Sequence, residues 1–283
     1  MKRFLKQLTV RGVFWRRLHH WSVRNVPWYI EPILIFWFAI GFYLGWPPGR
    51  RAVQENLRAI LPGSNRIANF FRGWRVVHSF SWVMTDTWRF TETGAESDWE
   101  VEGREELERL LSTDRGAIIL TAHMGNYDLG SYLLTEQIGR EMTVVRIPEL
   151  DPETESFATS RRHRSIHRLN VEYNVGPDSL GLSLLDAIRD GKLVAIQGDR
   201  SPPGVAAIVR PLFGIPTPIP AGPFMLGMTA RAPIFPLFIV RTGIRRYRVI
   251  IHEPIECRRT SRNRNECIES SMTQWLEILE PMI

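Results

Sequence analysis

The stretch "AIILTAHMGNYDLG", Ala117 to Gly130, places His123 and Asp128 five residues apart across a Met-Gly-Asn turn. A histidine can take the proton of an attacking hydroxyl when a carboxylate holds its other ring nitrogen and fixes the tautomer. The pair is therefore a candidate dyad, with His123 as general base and Asp128 as the orienting carboxylate. Gly125 and Asn126 lie where the chain turns into a helix, whose first backbone N–H groups lack intrahelical partners and can hold an oxyanion or a phosphate. The plainer reading leaves Asp128 serving a helix N-terminus and His123 satisfied nearby.

A second candidate is "LVAIQGDRSPPG", where Asp199 and Arg200 follow another apolar run and Pro202-Pro203-Gly204 stiffens the loop. An Asp–Arg ion pair closing that loop is the structural alternative. Gly214 to Gly222, with prolines at 216, 218 and 220, reads as a rigid extended segment delivered into a helix near Ala221–Gly222. Its amides could hold a phosphate, or the segment is a stiff crossover packed on the sheet. His163 and His167 in "SRRHRSIHRL" stand at i,i+4 but among four arginines and with no third ligand type nearby, which describes a basic helix face rather than a metal site. No metal site is expected. No G-x-S-x-G elbow occurs, and neither Cys257 nor Cys267 sits in a recognisable nucleophile setting.

The positioning elements follow from periodicity. Strands are expected at Trp99–Glu102, Gly116–Thr121, Met142–Arg146, Val171–Val175, Lys192–Gln197, Ala207–Leu212, Ile234–Arg241 and Tyr247–Ile251. Helices are expected at Arg104–Leu111, Tyr127–Ile138, Glu153–Arg168, Ser179–Asp190, Pro220–Thr229 and Asn263–Glu280. Strands separated by helices imply an α/β fold with a mixed, largely parallel sheet and flanking helices. His123 and Asp199 then fall at the carboxyl ends of strands, where open α/β sheets place their ligand crevices.

The sheet is preceded by a different texture. The first 27 residues carry seven Lys and Arg and no acid, interleaved with Phe4, Leu5, Leu8, Phe14, Trp15, Leu18 and Trp21, the pattern of an interfacial helix on anionic lipid. A leader peptide or a nucleic-acid arm is the alternative. Ile33–Trp46 then runs without charge and, as a helix, is about 21 Å long against a hydrocarbon core of about 30 Å. Glu31 just before it would need a partner inside a bilayer. A monotopic anchor with both flanks on one side is the preferred reading, and a buried core helix the soluble one. From Arg50 to Phe90 the pattern is amphipathic helix, broken at Pro62-Gly63. The expected division is residues 1–48 as membrane-associated helices and 49–283 as the α/β domain.

A formal net charge of +6, nearly all of the excess arginine, calls for anionic partners: membrane, acidic carrier protein or nucleic acid. The apolar run and the lack of a recognition motif argue against nucleic acid. Two cysteines make neither a disulfide framework nor a four-ligand zinc site, so a reducing compartment is the default.

"HMGNYD" resembles the HLGNWE-type signature of the bacterial lipid A biosynthesis acyltransferases, and the resemblance runs on in order through most of the chain. Upstream, "NLRAILPG", and downstream, "VVRIPELDPE", "LVAIQGDR" and "PLFGIPTPIPAGPFMLGMTARAPIFPLFIVR", are similar to further blocks of that family. The resemblance implies His123 as base, Asp128 as its carboxylate, and Arg146 and Asp199 shaping the active site; Arg200, Gly125 and Asn126 are further residues expected at the substrate. Asp128 departs from the glutamate of some branches, and the chain ends at "QWLEILEPMI" without the arginine-rich tail many members carry. The implied activity moves an acyl chain from acyl carrier protein or coenzyme A to a hydroxyl of a lipid A precursor, at the cytoplasmic side of the inner membrane, with no cofactor. The alternatives are a lysophospholipid, mannolipid or aminolipid acyltransferase of the same fold, and a non-catalytic protein that binds anionic lipid. The basic face around His163 would dock an acidic carrier or lipid phosphates, or be merely solvated.

Overall fold

The computed structural model describes residues 13–113, 115–148, 152–153, 155–156, 169–174, 177–202, 204–257 and 264–283. The chain divides into two compact units, Met1–Ser97 with the turn Gly243–Arg245, and Asp98–Thr242 with Arg246–Ile283.

The first unit is helical: α1 Val13–Asn25, α2 Glu31–Gly45, α3 Pro47–Ile60 and α4 Arg66–Thr93. The last is capped by Asn65, whose side chain accepts from the Ile67 N–H, and stopped by Gly94 at φ +67°. Helix α2 buries Glu31, Ile35, Ala39 and Tyr43, an i,i+4 stripe, while Ile33, Leu34, Trp37 and Phe38 face outward. Tyr43 lies so close to Gly73 that a Cβ there would meet its hydroxyl at 2.3 Å, so α2 and α4 approach through a glycine. Helix α1 is tied to α4 by His19 Nε2 to Thr85 Oγ1 at 3.0 Å and His20 Nε2 to Glu92 at 2.8 Å. Phe14, Trp15, Leu18 and Trp21 stay exposed.

Glu31 needed a partner and has two. Its buried carboxylate receives Arg89 of α4 and, at 2.8 Å, Arg245 of the Gly243–Arg245 turn. The compact unit runs on to Ser97, past the residue-48 boundary read from the sequence, because α3 and α4 complete the packing that α1 and α2 begin. No helix among the described residues is long and apolar enough to cross a membrane; α2 and α3 are bent by 93° at Trp46.

The second unit carries a seven-stranded sheet in the order β1-β9-β8-β2-β5-β3-β4. The strands are β1 Asp98–Glu102, β2 Ala117–Thr121, β3 Met142–Arg146, β4 Leu169–Tyr173, β5 Leu193–Gln197, β8 Ile234–Gly243 and β9 Arg246–Ile251. Pairing is parallel for β1 with β9, β2 with β8 and β5, and β3 with β5 and β4. The connecting helices are α5 Arg104–Ser112, α6 Tyr127–Ile138, α7 Pro177–Arg189, α8 Gly222–Ala230 and α9 Arg264–Leu279. The expected mixed, largely parallel α/β sheet is present. Its core joins Ile118, Leu120, Val194, Phe224, Phe238, Met272 and Trp275.

Two expectations change. The extended proline segment is a strand, β7 Ile215–Pro220, paired antiparallel with β6 Ala207–Leu212 in a separate two-stranded ribbon. Pro216, Pro218 and Pro220 alternate, so the missing N–H groups share one side of a strand that has a single neighbour. The neighbouring Ala221 N–H, on the other register, donates to Ala206 O at 3.0 Å. The strand expected at Val171–Val175 starts earlier, at Leu169, paired with Met142.

Candidate active site

Three adjacent parallel strands, β2, β5 and β3, end at one edge of the sheet. Thr121 of β2 is in register with Gln197 of β5, so His123 and Asp199 each lie two residues past a paired position. β5 continues off its ladder through Gly198, whose N–H donates to Thr121 O at 2.8 Å and whose carbonyl accepts the Trp275 indole N–H at 3.0 Å. A Cβ on Gly198 would stand 2.6 Å from Leu120 Cδ1, so only glycine lets the strand pass here without displacing that side chain. Trp275 is fully buried and stacked on Phe238 at 5.6 Å between centroids. Both backbone groups that precede Asp199 are therefore fixed from the core side.

His123 Nδ1 lies 2.8 Å from Asp199 Oδ1. A carboxylate only accepts, so Nδ1–H donates and the lone pair of the neutral ring sits on Nε2. Nothing among the described residues bonds Nε2, and the imidazole is 29% exposed beside an 18% exposed carboxylate. The Tyr127 ring meets the imidazole edge-on at 5.9 Å. A ring held at one nitrogen and open at the other can take a proton from a hydroxyl.

The pairing expected between His123 and Asp128 is not the one the structure makes. Asp128, in the first turn of α6, accepts from Arg146 at the end of β3. Burial alone would lower the pKa of that guanidinium, but Asp128, with Tyr132 and Tyr127, outweighs it and holds the group above its ordinary value. The half-buried arginine needs a carboxylate, and Asp128 is its neighbour across the helix start; the adjacent strand β5 supplies Asp199 to the histidine instead. The result is two pairs at one edge, His123–Asp199 and Arg146–Asp128. Tyr127 lies within the field of both, and burial together with Asp128 pushes its hydroxyl up to about 12, so it stays a neutral donor at physiological pH.

The remaining site residues divide between scaffold and solvent. Gly125 adopts φ +58°, and a Cβ there would fall 1.6 Å from the Ile239 carbonyl oxygen, which also accepts the Asn126 N–H at 3.0 Å. Asn126 is buried; its Oδ1 caps α6 through the Leu129 N–H at 3.1 Å and its Nδ2 donates to Tyr247 Oη at 3.1 Å. A substrate-binding role for that side chain does not fit: both ends are engaged in holding the turn. Arg200 does not close the loop on Asp199. It is exposed and has no ion pair among the described residues, although its charge reaches Tyr127.

His163, His167 and the helix expected at Glu153–Arg168 fall largely outside the described residues. Among the described residues no cluster of three His, Cys, Asp or Glu could hold a metal. Trp275 and Tyr127 were not singled out from the sequence: "QWLEIL" reads only as an apolar helix face, and no local pattern reports a hydrogen bond to a strand 77 residues away.

A comparison with curated proteins returned no match. The family model described as "Bacterial lipid A biosynthesis acyltransferase" matches residues 21–282, which include every site residue described above. The chain thus belongs to the bacterial lipid A biosynthesis acyltransferase family, which makes acyl transfer its reaction class.

Proposed function

We propose that this protein transfers a fatty acyl chain from an acyl thioester to a hydroxyl of a lipid A precursor, with His123 as the general base. The observation that carries this reading is the His123 ring, bonded to Asp199 at Nδ1 and open at Nε2, on the sheet edge shared with Arg146 and Arg200.

The step is written without a covalent enzyme intermediate. Nε2 takes the proton of the acceptor hydroxyl as its oxygen attacks the thioester carbonyl, and Asp199 stabilises the imidazolium that forms. The Tyr127 and Asp128 amides at the start of α6 have no intrahelical acceptor, and with Arg146 they are groups suited to the tetrahedral oxyanion. Collapse forms the ester and expels the thiolate, which takes the proton back from the imidazolium. Arg200, free of an internal carboxylate partner among the described residues, is suited to a phosphate of either substrate.

The helical unit supports a place at the membrane surface. It exposes Trp21, Trp28 and Trp37 together with Ile33, Leu34 and Phe38, more apolar surface than a unit in water usually shows. Arg17 and Arg24 stand beside Trp21 on α1, as on an interfacial helix over anionic lipid. We place the unit on the cytoplasmic face of the inner membrane, lying on the bilayer without crossing it.

The test measures transfer of radiolabelled acyl chains from acyl carrier protein, and separately from coenzyme A, into lipid A precursors, lysophospholipids and aminolipids. Wild type is expected to label the lipid A precursor, with His123→Ala slower by about two to four decades. Equal labelling by the wild type and the His123 variant on every acceptor would overturn the reading and favour a lipid-binding protein.

A further inference from the structure

Outside the sheet edge, the molecule brings together its only two sulfhydryl groups. Cys257 follows β9 and the bridge between Ile255 and Ile234; Cys267 stands in the first turn of α9, ten residues on. Their Sγ atoms are 3.1 Å apart, inside the contact distance of two non-bonded sulfurs and about 1 Å longer than a disulfide. Neither is oxidised.

We propose that Cys257 and Cys267 form a reversible intramolecular disulfide with a low-molecular-weight disulfide oxidant, making this pair a redox modification site. Cys267 is half-buried and meets the oxidant; Cys257 is 4% exposed and is reached through Cys267. Burial raises the Cys257 thiol to about 11, against the opposing effect of its hydrogen bond with Ser271, so it stays a thiol until Cys267 has reacted. The balance is complete. The Cys267 thiolate attacks one sulfur of glutathione disulfide and releases one glutathione thiolate. Cys257, losing its proton to solvent, attacks the Cys267 sulfur of the mixed disulfide and releases the second. Two protein thiols are oxidised, and one oxidant molecule is reduced to two glutathiones.

The bond would tie the segment after β9 to the start of α9, the helix whose Trp275 fixes Gly198. It requires little movement and closes a short loop, so it pins that helix end without remodelling the core. The proposal does not depend on the acyl-transfer reading, because its readout is the thiols themselves.

The full-length protein is incubated with glutathione disulfide, quenched with iodoacetamide and digested without reductant; the single variants Cys257→Ser and Cys267→Ser are treated in parallel. The expected result is loss of both titratable thiols per chain, a linked peptide pair joining Cys257 to Cys267 with the mass of two hydrogens missing, and recovery of both thiols on adding dithiothreitol. Cys267→Ser should leave Cys257 unmodified, and Cys257→Ser should stop at the glutathione adduct of Cys267. Three outcomes overturn the proposal: both thiols remaining alkylatable in wild type, stable glutathione adducts on both, or disulfides that join separate chains. The wild-type measurement decides even if a serine variant fails to fold.

Discussion

The two units of this chain differ in what they leave outside. In the α/β unit the apolar side chains are inside: β2 is buried along its whole length, and the exposed large apolar residues are scattered, as at Leu111, Leu182 and Val209. In the helical unit, α2 exposes Ile33, Leu34, Phe36, Trp37, Phe38 and Leu44 and buries a glutamate. The proposed placement at a membrane surface accounts for a helix that buries Glu31 and exposes Trp37. The α/β unit reads as a self-sufficient core; under the proposed placement an apolar phase completes the helical unit.

That contrast can be broken at Glu31. Glu31→Gln leaves the Arg89 and Arg245 guanidinium groups without their anion and is expected to destabilise the helical unit by about 3–5 kcal/mol, read as a lowered denaturation midpoint. A loss under about 1 kcal/mol would mean that the arginines find water as readily as the carboxylate. Next comes the outer face. Replacing Trp28 and Trp37, 67% and 64% exposed, with serine should leave folding intact and weaken sedimentation with anionic vesicles by about tenfold per residue. Unchanged sedimentation would move the membrane contact elsewhere.

Acid should act on the helical unit through His19. Burial, then the nearby His20, lowers its pKa from 6.5 to about 4, so between those values the unfolded chain binds a proton that the folded chain does not. Stability is complete above pH 6.5 and falls as the pH drops toward 4; at pH 5 the loss relative to pH 7 is about 2 kcal/mol. Urea unfolding at the two pH values measures it, and His19→Gln should flatten the difference. A further effect is in the α/β unit. Trp275→Phe keeps the stack on Phe238 but strands the Gly198 carbonyl, lowering stability by about 1–3 kcal/mol and slowing transfer with KM unchanged.

How far the sequence could be read depended on the range of the cause. β3, β6 and α6 have the expected boundaries because alternation and turn chemistry are local. β7 was hidden by its prolines, which argue against a strand unless the ribbon is known to have one neighbour on one side. The candidate site residues were visible as types, His123, Arg146 and Asp199 at strand ends and Asp128 at a helix start, yet their partnering was not. Spacing suggested His123 with Asp128; the order β2-β5-β3 decides that His123 faces Asp199 and leaves Asp128 to Arg146, and strand order is not written in local spacing.

That partnering is the central claim, and one measurement tests it most directly: acyl-transfer rates, at saturating donor, of Asp199→Asn and Asp128→Asn, each checked for an unchanged unfolding midpoint. The account predicts that Asp199→Asn loses about two to four decades in kcat, close to the loss for His123→Ala, because the ring is left in the wrong tautomer. Asp128→Asn, which frees Arg146, should lose only about tenfold. The reverse ranking, with Asp128→Asn nearly inactive and Asp199→Asn close to wild type, would contradict the account and assign the histidine to Asp128.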